Sequence, residues 1–294
     1  MEKQKIIQAG EISKKIKEYA KSIIKKGVPL LEIADKIDEK IEDLGGKPAF
    51  PINLSINDVA AHYTPGHDDE TLAHGLLKVD IGIHVDGWTA DTAFSLDLEN
   101  SEENKKIIEA SKEALTNVEK SITTESEISE IGRIIETTIR SKNLNPIVNL
   151  TGHSMDQYDL HSGASIPNID NGSDFIFGEG LYAIEPFATN GVGKVKDGRP
   201  SGIYMLQNQK NTRSPIAREL LKHILKDYST LPFCSRWLVR KYGTKALLGL
   251  KQLEQEGILH HFPQLIEISG GIVSQAENTF LLEKNSVTIT TKED

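Results

Sequence analysis

The sequence is poor in cysteine, in aromatic residues and in long apolar runs. Its 294 residues include one cysteine, Cys234, and 6% aromatic residues. A single cysteine excludes an intrachain disulfide and a zinc cage built from several thiolates. No apolar run approaches the roughly 20 residues of a bilayer-spanning helix, and residues 1–5 hold no apolar signal core. We therefore expect no membrane association and a cytoplasmic location.

The charge and the apolar content indicate a folded, acidic chain. There are 34 Lys+Arg against 43 Asp+Glu, which gives a formal net charge of −9, and 38% of the residues are hydrophobic. This share is enough for a sizeable core and excludes general disorder. The length fits one large domain, or one domain that carries an insertion.

Two pairs of amphipathic helices follow one another within about the first 142 residues of the chain. Apolar residues recur there at three- and four-residue intervals, which is the spacing of a helix with one buried face. The predicted helices cover about residues 3–26, 29–44, 102–122 and 128–142.

The second pair of helices repeats the first at a constant spacing. A shift of 98 residues carries Pro48 onto Pro146, and it brings His62 to within one residue of His161. Any two amphipathic helices share isoleucine at helical spacing, so a chance likeness is the alternative. We favour a structural duplication of two similar halves.

Residues 76–98 predict a β-hairpin. β-Branched and aromatic residues lie on both sides of Asp86-Gly87, and this dipeptide is the strongest short-range hairpin signal. With these two residues in the turn, residue 82 lies opposite Asp91. Asp80 then shares a face of the hairpin with Asp91 and lies diagonal to it. The hairpin therefore brings two carboxylates together.

The second half offers a similar pair of strands, separated by an insertion. Residues 180–186 predict a buried strand that presents Glu185, and residues 271–282 predict its return strand, which presents Glu277. Helical patterns occupy the sequence between them, over about residues 216–227, 236–242 and 244–256.

Four acids, Asp80, Asp91, Glu185 and Glu277, thus lie in apolar, strand-like runs. Each alone would be interpreted as a solvated carboxylate. Together they would repel one another when buried, so a cationic partner is expected. His153, which follows an apolar segment, adds a nitrogen donor, although a lone histidine is more often a hydrogen-bonded loop residue. Four carboxylates and one imidazole suit two divalent metals, and such a pair can activate water in a hydrolase.

Several segments resemble type II methionine aminopeptidases of the archaeal kind, which are metallopeptidases of family M24. The match runs from the first helix to the end of the chain and keeps the order and spacing of the five acid and histidine positions. The segments are residues 60–65 (AAHYTP), 78–82 (KVDIG), 91–94 (DTAF), 152–154 (GHS) and 275–279 (QAENT).

The resemblance implies an α+β pita-bread fold. In this fold two pseudo-symmetric halves surround a curved antiparallel sheet, and type II members add a helical insertion. We expect the catalytic domain to comprise residues 1–201 and 263–294, and a winged-helix-like helical subdomain to comprise residues 202–262.

The resemblance also assigns roles to the metal-binding residues. It implies two divalent ions per chain, which can be cobalt, manganese, iron or zinc. Asp80 is expected as a terminal ligand of one ion, His153 and Glu185 as ligands of the other, and Asp91 and Glu277 as bridges between them. Glu185 is also expected to shuttle the proton of the attacking water.

Further residues are expected to contact the substrate. By resemblance, His62 contacts the scissile peptide nitrogen, and His161 donates a hydrogen bond to the substrate carbonyl as it becomes an oxyanion. Phe50 and Leu160 match positions that line the methionine pocket, and Ile203 matches such a position more loosely.

The function that follows is removal of the N-terminal methionine from nascent proteins when the second residue is small. The expected enzyme is a monomer with no dedicated DNA binding. An Xaa-Pro peptidase of the same fold is one alternative, although such enzymes usually carry a separate N-terminal domain. The other is a non-catalytic relative that binds the ribosome or nucleic acid. Residues 210–251 favour it, because they hold ten Lys+Arg against two acids. The same basic residues could also dock the enzyme at a ribosome, although a solvated helix face explains them more plainly.

Overall fold

The structure is a computed structural model that describes residues 1–293. Its helices confirm the seven predicted ones, with ends that differ by at most three residues. Within residues 1–293, every helix is too short or too polar to cross a bilayer. The helices are α1 (Lys3–Ile23), α2 (Leu30–Asp43), α3 (Glu102–Ser121), α4 (Ile128–Ser141), α5 (Pro215–Asp227), α6 (Ser235–Tyr242) and α7 (Lys245–Gln255).

Local sequence explains where several helices begin and end. The hydroxyl of Ser101 accepts the N–H of Asn104 and caps α3. The hydroxyl of Ser214 caps α5 in the same way, and Pro215 follows it at the first helical position, where no N–H is needed. Soon after α2, Gly45 takes a φ of +82°, a left-handed conformation that glycine adopts without a steric penalty.

The strands pair in an antiparallel manner and form a curled sheet in several sections. The strands are β1 (Lys47–Pro48), β2 (Asn53–Ile56), β3 (Val59–Ala61), β4 (Leu76–Val85), β5 (Trp88–Asp97), β6 (Asn145–Pro146), β7 (Thr151–Met155), β8 (Ser165–Pro167), β9 (Gly180–Ile184), β10 (Phe187–Thr189), β11 (Val195–Leu206), β12 (Phe233–Cys234), β13 (Leu259–Glu267), β14 (Val273–Gln275), β15 (Asn278–Glu283) and β16 (Ser286–Ile289).

Strands β4 and β5 confirm the predicted hairpin and its register. Gly82 pairs with Asp91, as the position of the turn requires. Both turn residues have positive φ, +49° for Asp86 and +85° for Gly87, as a type I′ turn demands. The local turn chemistry thus fixes which residues of the two strands share a face.

The structure confirms the repeat of 98 residues. The bounds of α2 and α4 differ by 98 at both ends, and so do those of β1 and β6. β1 pairs with β4 in the first half, and β6 pairs with β10 in the second. Each helix pair covers its own apolar core: Ile37 is buried in one, and Ile135, 98 residues later, is buried in the other.

The prediction of two continuous strands in the second half is wrong. Glu185 lies in a break between β9 and β10, and Glu277 lies in a break between β14 and β15. Pro186 has no N–H to donate to a ladder, which explains the first break. The carbonyl of Pro186 accepts the N–H of Ala276 at 3.2 Å, so the two breaks face each other.

The inserted helices α5, α6 and α7 pack on one another around their own apolar cluster. They are carried by the long strands β11 and β13, which pair with each other, and β13 also pairs with β3. The predicted domain boundaries at residues 202 and 262 fall inside these two strands. The division into a catalytic domain and an inserted subdomain therefore stays a prediction.

Candidate metal centre

A cavity of about 240 Å³ opens where the two halves of the sheet meet. Its lining includes every residue to which a site role was assigned above. Its lining combines the five candidate metal ligands with a set of apolar side chains. The ten residues are Phe50, His62, Asp80, Asp91, His153, Leu160, His161, Glu185, Ile203 and Glu277.

The hairpin β4–β5 positions the two aspartates of the first half. Asp80 pairs with Ala93, and Asp91 pairs with Gly82, so the two acids are diagonal neighbours as predicted. Thr279, from the second half, holds the backbone of Asp91 on both sides: its hydroxyl accepts the Asp91 N–H and donates to the Asp91 carbonyl, each at 2.7 Å. A residue of one half thus fixes an acid of the other.

Gln275, at the end of β14, links three of the four carboxylates. Its side-chain amide donates to Asp80 Oδ2 at 3.3 Å, to Glu185 Oε2 at 3.2 Å and to Glu277 Oε2 at 3.4 Å. One amide with two hydrogens cannot satisfy three carboxylates at full strength. No role was predicted for Gln275. Its position two residues before Glu277, on a strand predicted to be buried, was the signal that could have found it.

Asp91, His153 and Glu277 form the tightest group in the cavity. All three are buried, and one ligand atom from each lies within 4.8 Å of the other two. His153 Nε2 lies 3.6 Å from Asp91 Oδ2. Asp80 and Glu185 lie outside this group of three but belong to the same cavity, and Gln275 connects them to Glu277.

Burial dominates the electrostatics of these acids. It raises the pKa of Asp80 to about 7. Burial and the repulsion of neighbouring carboxylates raise the pKa values of Asp91, Glu185 and Glu277 well above their usual range. Burial also lowers the pKa of His153 to about 3, which keeps its imidazole neutral at physiological pH. The cluster therefore contains no cation of its own to balance its carboxylates.

The unpaired atoms of the cluster fit a metal. Among the described residues, Asp80 Oδ1 and Asp91 Oδ1 are buried without a hydrogen-bond partner. Buried polar atoms are normally paired, and such atoms at the centre of an acid cluster call for a ligand. Four carboxylates and a neutral imidazole are oxygen-rich donors, which suits divalent ions such as manganese, iron, cobalt or zinc in an open site.

His62 lies directly after β3 with a φ of +62°, which is unusual for a residue with a Cβ. Its Nδ1 lies 3.2 Å from the carbonyl oxygen of Pro263, so Nδ1 carries the proton and Nε2 is left as an acceptor. Phe262 packs edge-on against the ring at 5.6 Å. Burial lowers the pKa of His62 to about 4, so the imidazole is neutral at pH 7.

His161 follows β7 and reaches the same cavity from the second half. Its ring centroid lies 4.3 Å from that of His153. Burial lowers its pKa below the usual value, so it too is mainly neutral at pH 7. A neutral imidazole keeps one N–H, which is able to donate a hydrogen bond to an oxygen in the cavity.

Residues from both halves and from the insertion form the apolar wall of the cavity. Phe50 lies over Gly82, where a Cβ would come within 2.2 Å of the Phe50 ring. Pro232 and Phe262 line the same cavity from the inserted region and its return strand. No role was predicted for these last two, because nothing in their local sequence marks residues that only the fold brings to the cavity.

Comparison with known proteins identifies the family. Residues 4–217 match the model of metallopeptidase family M24. The methionine aminopeptidase of Pyrococcus horikoshii is 47% identical, with 99% of this chain and 100% of the relative covered. That of Methanocaldococcus jannaschii is 45% identical, with 98% of each covered.

Solved structures share the fold at lower identity. The methionine aminopeptidase of Thermotoga maritima superposes with a TM-score of 0.71 at 20% identity, covering 99% of this chain and 96% of that one. The structure of a thermophilic Arx1 superposes with a TM-score of 0.86 at 17% identity, covering 99% and 91%. These likenesses establish the pita-bread fold, and with the sequence matches they show that the chain belongs to metallopeptidase family M24.

Proposed function

We propose that this metallopeptidase is a methionine aminopeptidase, which releases N-terminal methionine from peptides and nascent proteins when the second residue is small. The observation that carries the proposal is the cluster of four carboxylates and one imidazole beside an apolar wall, in which Asp91, His153 and Glu277 are buried and Asp80 and Glu185 are half-buried. Full-length relatives at 45–47% identity with this activity in their names support it.

Two divalent ions fit the donor set. Asp80 would hold one ion as a terminal ligand, His153 and Glu185 would hold the other, and Asp91 and Glu277 would contact both. When bound, such ions polarise the scissile carbonyl and make water a stronger nucleophile at neutral pH. This number of ions also balances four carboxylates that have no cation of their own.

The chain's own residues supply the proton transfers. Glu185, which the Gln275 amide holds in the cluster, would accept a proton from the attacking water and return it to the departing amine. His62 has an unprotonated Nε2, because its Nδ1 donates to the Pro263 carbonyl, so it can accept the N–H of the scissile peptide. This contact would orient the leaving group.

His161 and the apolar wall complete the site. His161 would donate its N–H to the carbonyl oxygen as negative charge develops there, which stabilises the transition state more than the ground state. Phe50, Leu160 and Ile203 would surround the methionine side chain. Ile203 comes from β11, so the strand that carries the insertion takes part in this pocket.

The test is a comparison of two substrate classes. Metal-free protein, prepared with a chelator, is supplied separately with cobalt, manganese, iron or zinc and assayed on Met-Gly-Ser and on Xaa-Pro peptides. We expect release of methionine that depends on the metal and is absent from the chelated protein. A metal-loaded protein that cleaves Xaa-Pro bonds in preference to Met-Gly would make it a peptidase of the other kind.

We also propose that the enzyme acts as a cytoplasmic monomer and that the basic residues 210–251 form a solvated surface in the main. Part of their charge is neutralised internally, because Arg236 and Arg240 pair with Asp35 on α2. Light scattering tests the monomer. Cosedimentation with ribosomes at two salt concentrations tests the surface, and strong pelleting at low salt that falls steeply at high salt would favour ribosome docking through these residues instead.

A further inference from the structure

Arg236 joins the insertion to the rest of the protein. It lies in the first turn of α6, and its side chain is completely buried. Its Nη2 donates to Asp38 Oδ2 on α2 at 2.8 Å, and its Nε lies 3.3 Å from Asp35 Oδ1. The neighbouring indole of Trp237 also donates to Asp38 Oδ2, at 2.7 Å. One end of α6 is thus anchored to the helices of the first half.

The same guanidinium reaches the segment that follows His62. Its Nη1 donates to the Thr64 hydroxyl at 3.1 Å and to the Pro65 carbonyl at 2.7 Å. Both acceptors are buried and lie two and three residues after His62. A positive φ such as that of His62 persists only where the surroundings hold the backbone in place. Arg236 is one of the groups that hold it.

The insertion holds His62 from the other side as well. The carbonyl of Pro263 accepts its Nδ1 proton, and Phe262 packs against its ring. Both residues belong to β13, the strand that returns from the inserted helices. The imidazole therefore lies between a backbone segment fixed by α6 and a strand that is continuous with the insertion.

We propose that Arg236 is a positioning residue for His62, so that the inserted helices set the geometry of the imidazole that faces the leaving group. This inference rests on the proposed function, because the role of His62 does. The planar guanidinium matters here, since its separate N–H groups contact an acid and two acceptors at once. A lysine keeps the charge but offers a single ammonium, which cannot bridge both sides.

Three variants separate positioning from general stability. Arg236→Lys keeps the charge opposite Asp38 and loses the bridge. Thr64→Val removes one acceptor beside His62 and leaves the buried ion pair intact, so it serves if Arg236→Lys does not fold. Trp237→Phe is the matched control, because it removes a hydrogen bond to the same carboxylate without touching the segment after His62.

Kinetics on a Met-Gly substrate give the first measurement. We expect Arg236→Lys to lower kcat about tenfold, with KM within about twofold, because a small displacement of a reacting group costs rate rather than affinity. Thr64→Val should show a smaller loss of the same kind, and Trp237→Phe should stay within about twofold of the wild type. Metal content should be unchanged in all three.

A double-mutant cycle gives the second. In a His62→Ala background, Arg236→Lys should cost less than about twofold further, because the group it positions is gone. An equal loss in both backgrounds would show that Arg236 acts without His62 and would overturn the inference.

The third measurement is the rate at which diethyl pyrocarbonate carbethoxylates His62. This reaction does not depend on enzyme turnover, and peptide mass mapping reports the modification at His62. We expect Arg236→Lys and Thr64→Val to change the rate at His62 at least about threefold, and Trp237→Phe to leave it unchanged. Equal rates in all four proteins would overturn the positioning role. Failure of the metal-loaded wild type to cleave Met-Gly would overturn the proposed function alone, since the modification rates would still report on His62.

Discussion

The two halves of the protein have the same helices but build their acids differently. In the first half, Asp80 and Asp91 lie eleven residues apart on one continuous hairpin closed by a two-residue turn. In the second, Glu277 lies 92 positions after Glu185, and both lie in breaks between strands. The entropy of closing a loop grows only slowly with its length, so the second half tolerates the insertion. A pair of acids can therefore be brought together by paired strands even when a long segment of chain connects them.

Direct contacts between the halves keep the acids together. Ala93 and Glu277 exchange two backbone hydrogen bonds, at 3.0 and 3.4 Å. Thr279 contacts the backbone of Asp91 in the same region. The cluster is thus a property of the seam between the halves, and variants at equivalent positions test how equal the two contributions are.

The largest effect is expected from Asp91 and Glu277, the two acids proposed as bridging ligands. Asp91→Ala and Glu277→Ala should each reduce the release of methionine below detection, because in the proposed site each would remove a ligand of both cations and leave unbalanced charge. The metal content of both variants, measured by elemental mass spectrometry, should fall. Normal activity with a normal metal content in either variant would show that the halves do not contribute equally and would contradict a dinuclear site.

The two cavity histidines should show a smaller, kinetic effect. His62→Ala and His161→Ala should each lower kcat by about 10²-fold, since in the proposed mechanism His62 assists the leaving amine and His161 stabilises the oxyanion. Both variants should keep their metals, which metal analysis beside steady-state kinetics will show. Loss of metal from the His62→Ala variant would show that His62 is a metal ligand. It would contradict the prediction that His62 and His161 both act without binding metal.

Gln275 has no counterpart in the first half that contacts several acids, so it sharpens the difference between the halves. Gln275→Leu should weaken metal binding by about tenfold or more, the usual cost of removing a group that orients metal ligands. Titration with manganese measures the affinity. The control is Ser274→Ala on the same strand, whose hydroxyl bonds to Ile107 and Ser111 and not to the acids. Equal manganese affinities in the two variants would contradict the role of Gln275 in orienting the metal ligands.

The remaining effect concerns the stability of the metal-free protein and not its activity. The pKa of Asp80 is about 7 in the folded state, against about 3.9 in an unfolded chain. Between these values the folded protein holds a proton that the unfolded chain has released, so rising pH removes stability, by at most about 1.4 kcal/mol per pH unit. Urea unfolding in a chelator should show wild type losing stability relative to Asp80→Asn from pH 5 to pH 7. A constant difference between them would contradict the raised pKa.

Sequence patterns predict the parts of the structure that depend on near neighbours. The helices follow from apolar spacing, and the register of Asp80 and Asp91 follows from the Asp86-Gly87 turn. The break at Glu185 has a local cause in Pro186, which the strand prediction overlooked, whereas the break at Glu277 arises where distant strands meet and has no local signal. The same holds for Phe262, which the pairing of β13 with β11 and β3 carries to the cavity.

The late position of β15 in the chain has a consequence for folding. β9 pairs with β7 along one edge. Its other edge pairs with β15, which follows almost a hundred residues later in the chain. The inserted helices make mostly local contacts and can form first, whereas the seam requires contacts of long sequence separation, which form slowly. That last step also crowds like charges into one place. We therefore expect a divalent cation that binds these acids to speed the closing of the sheet, which would give it a part in folding before any substrate arrives.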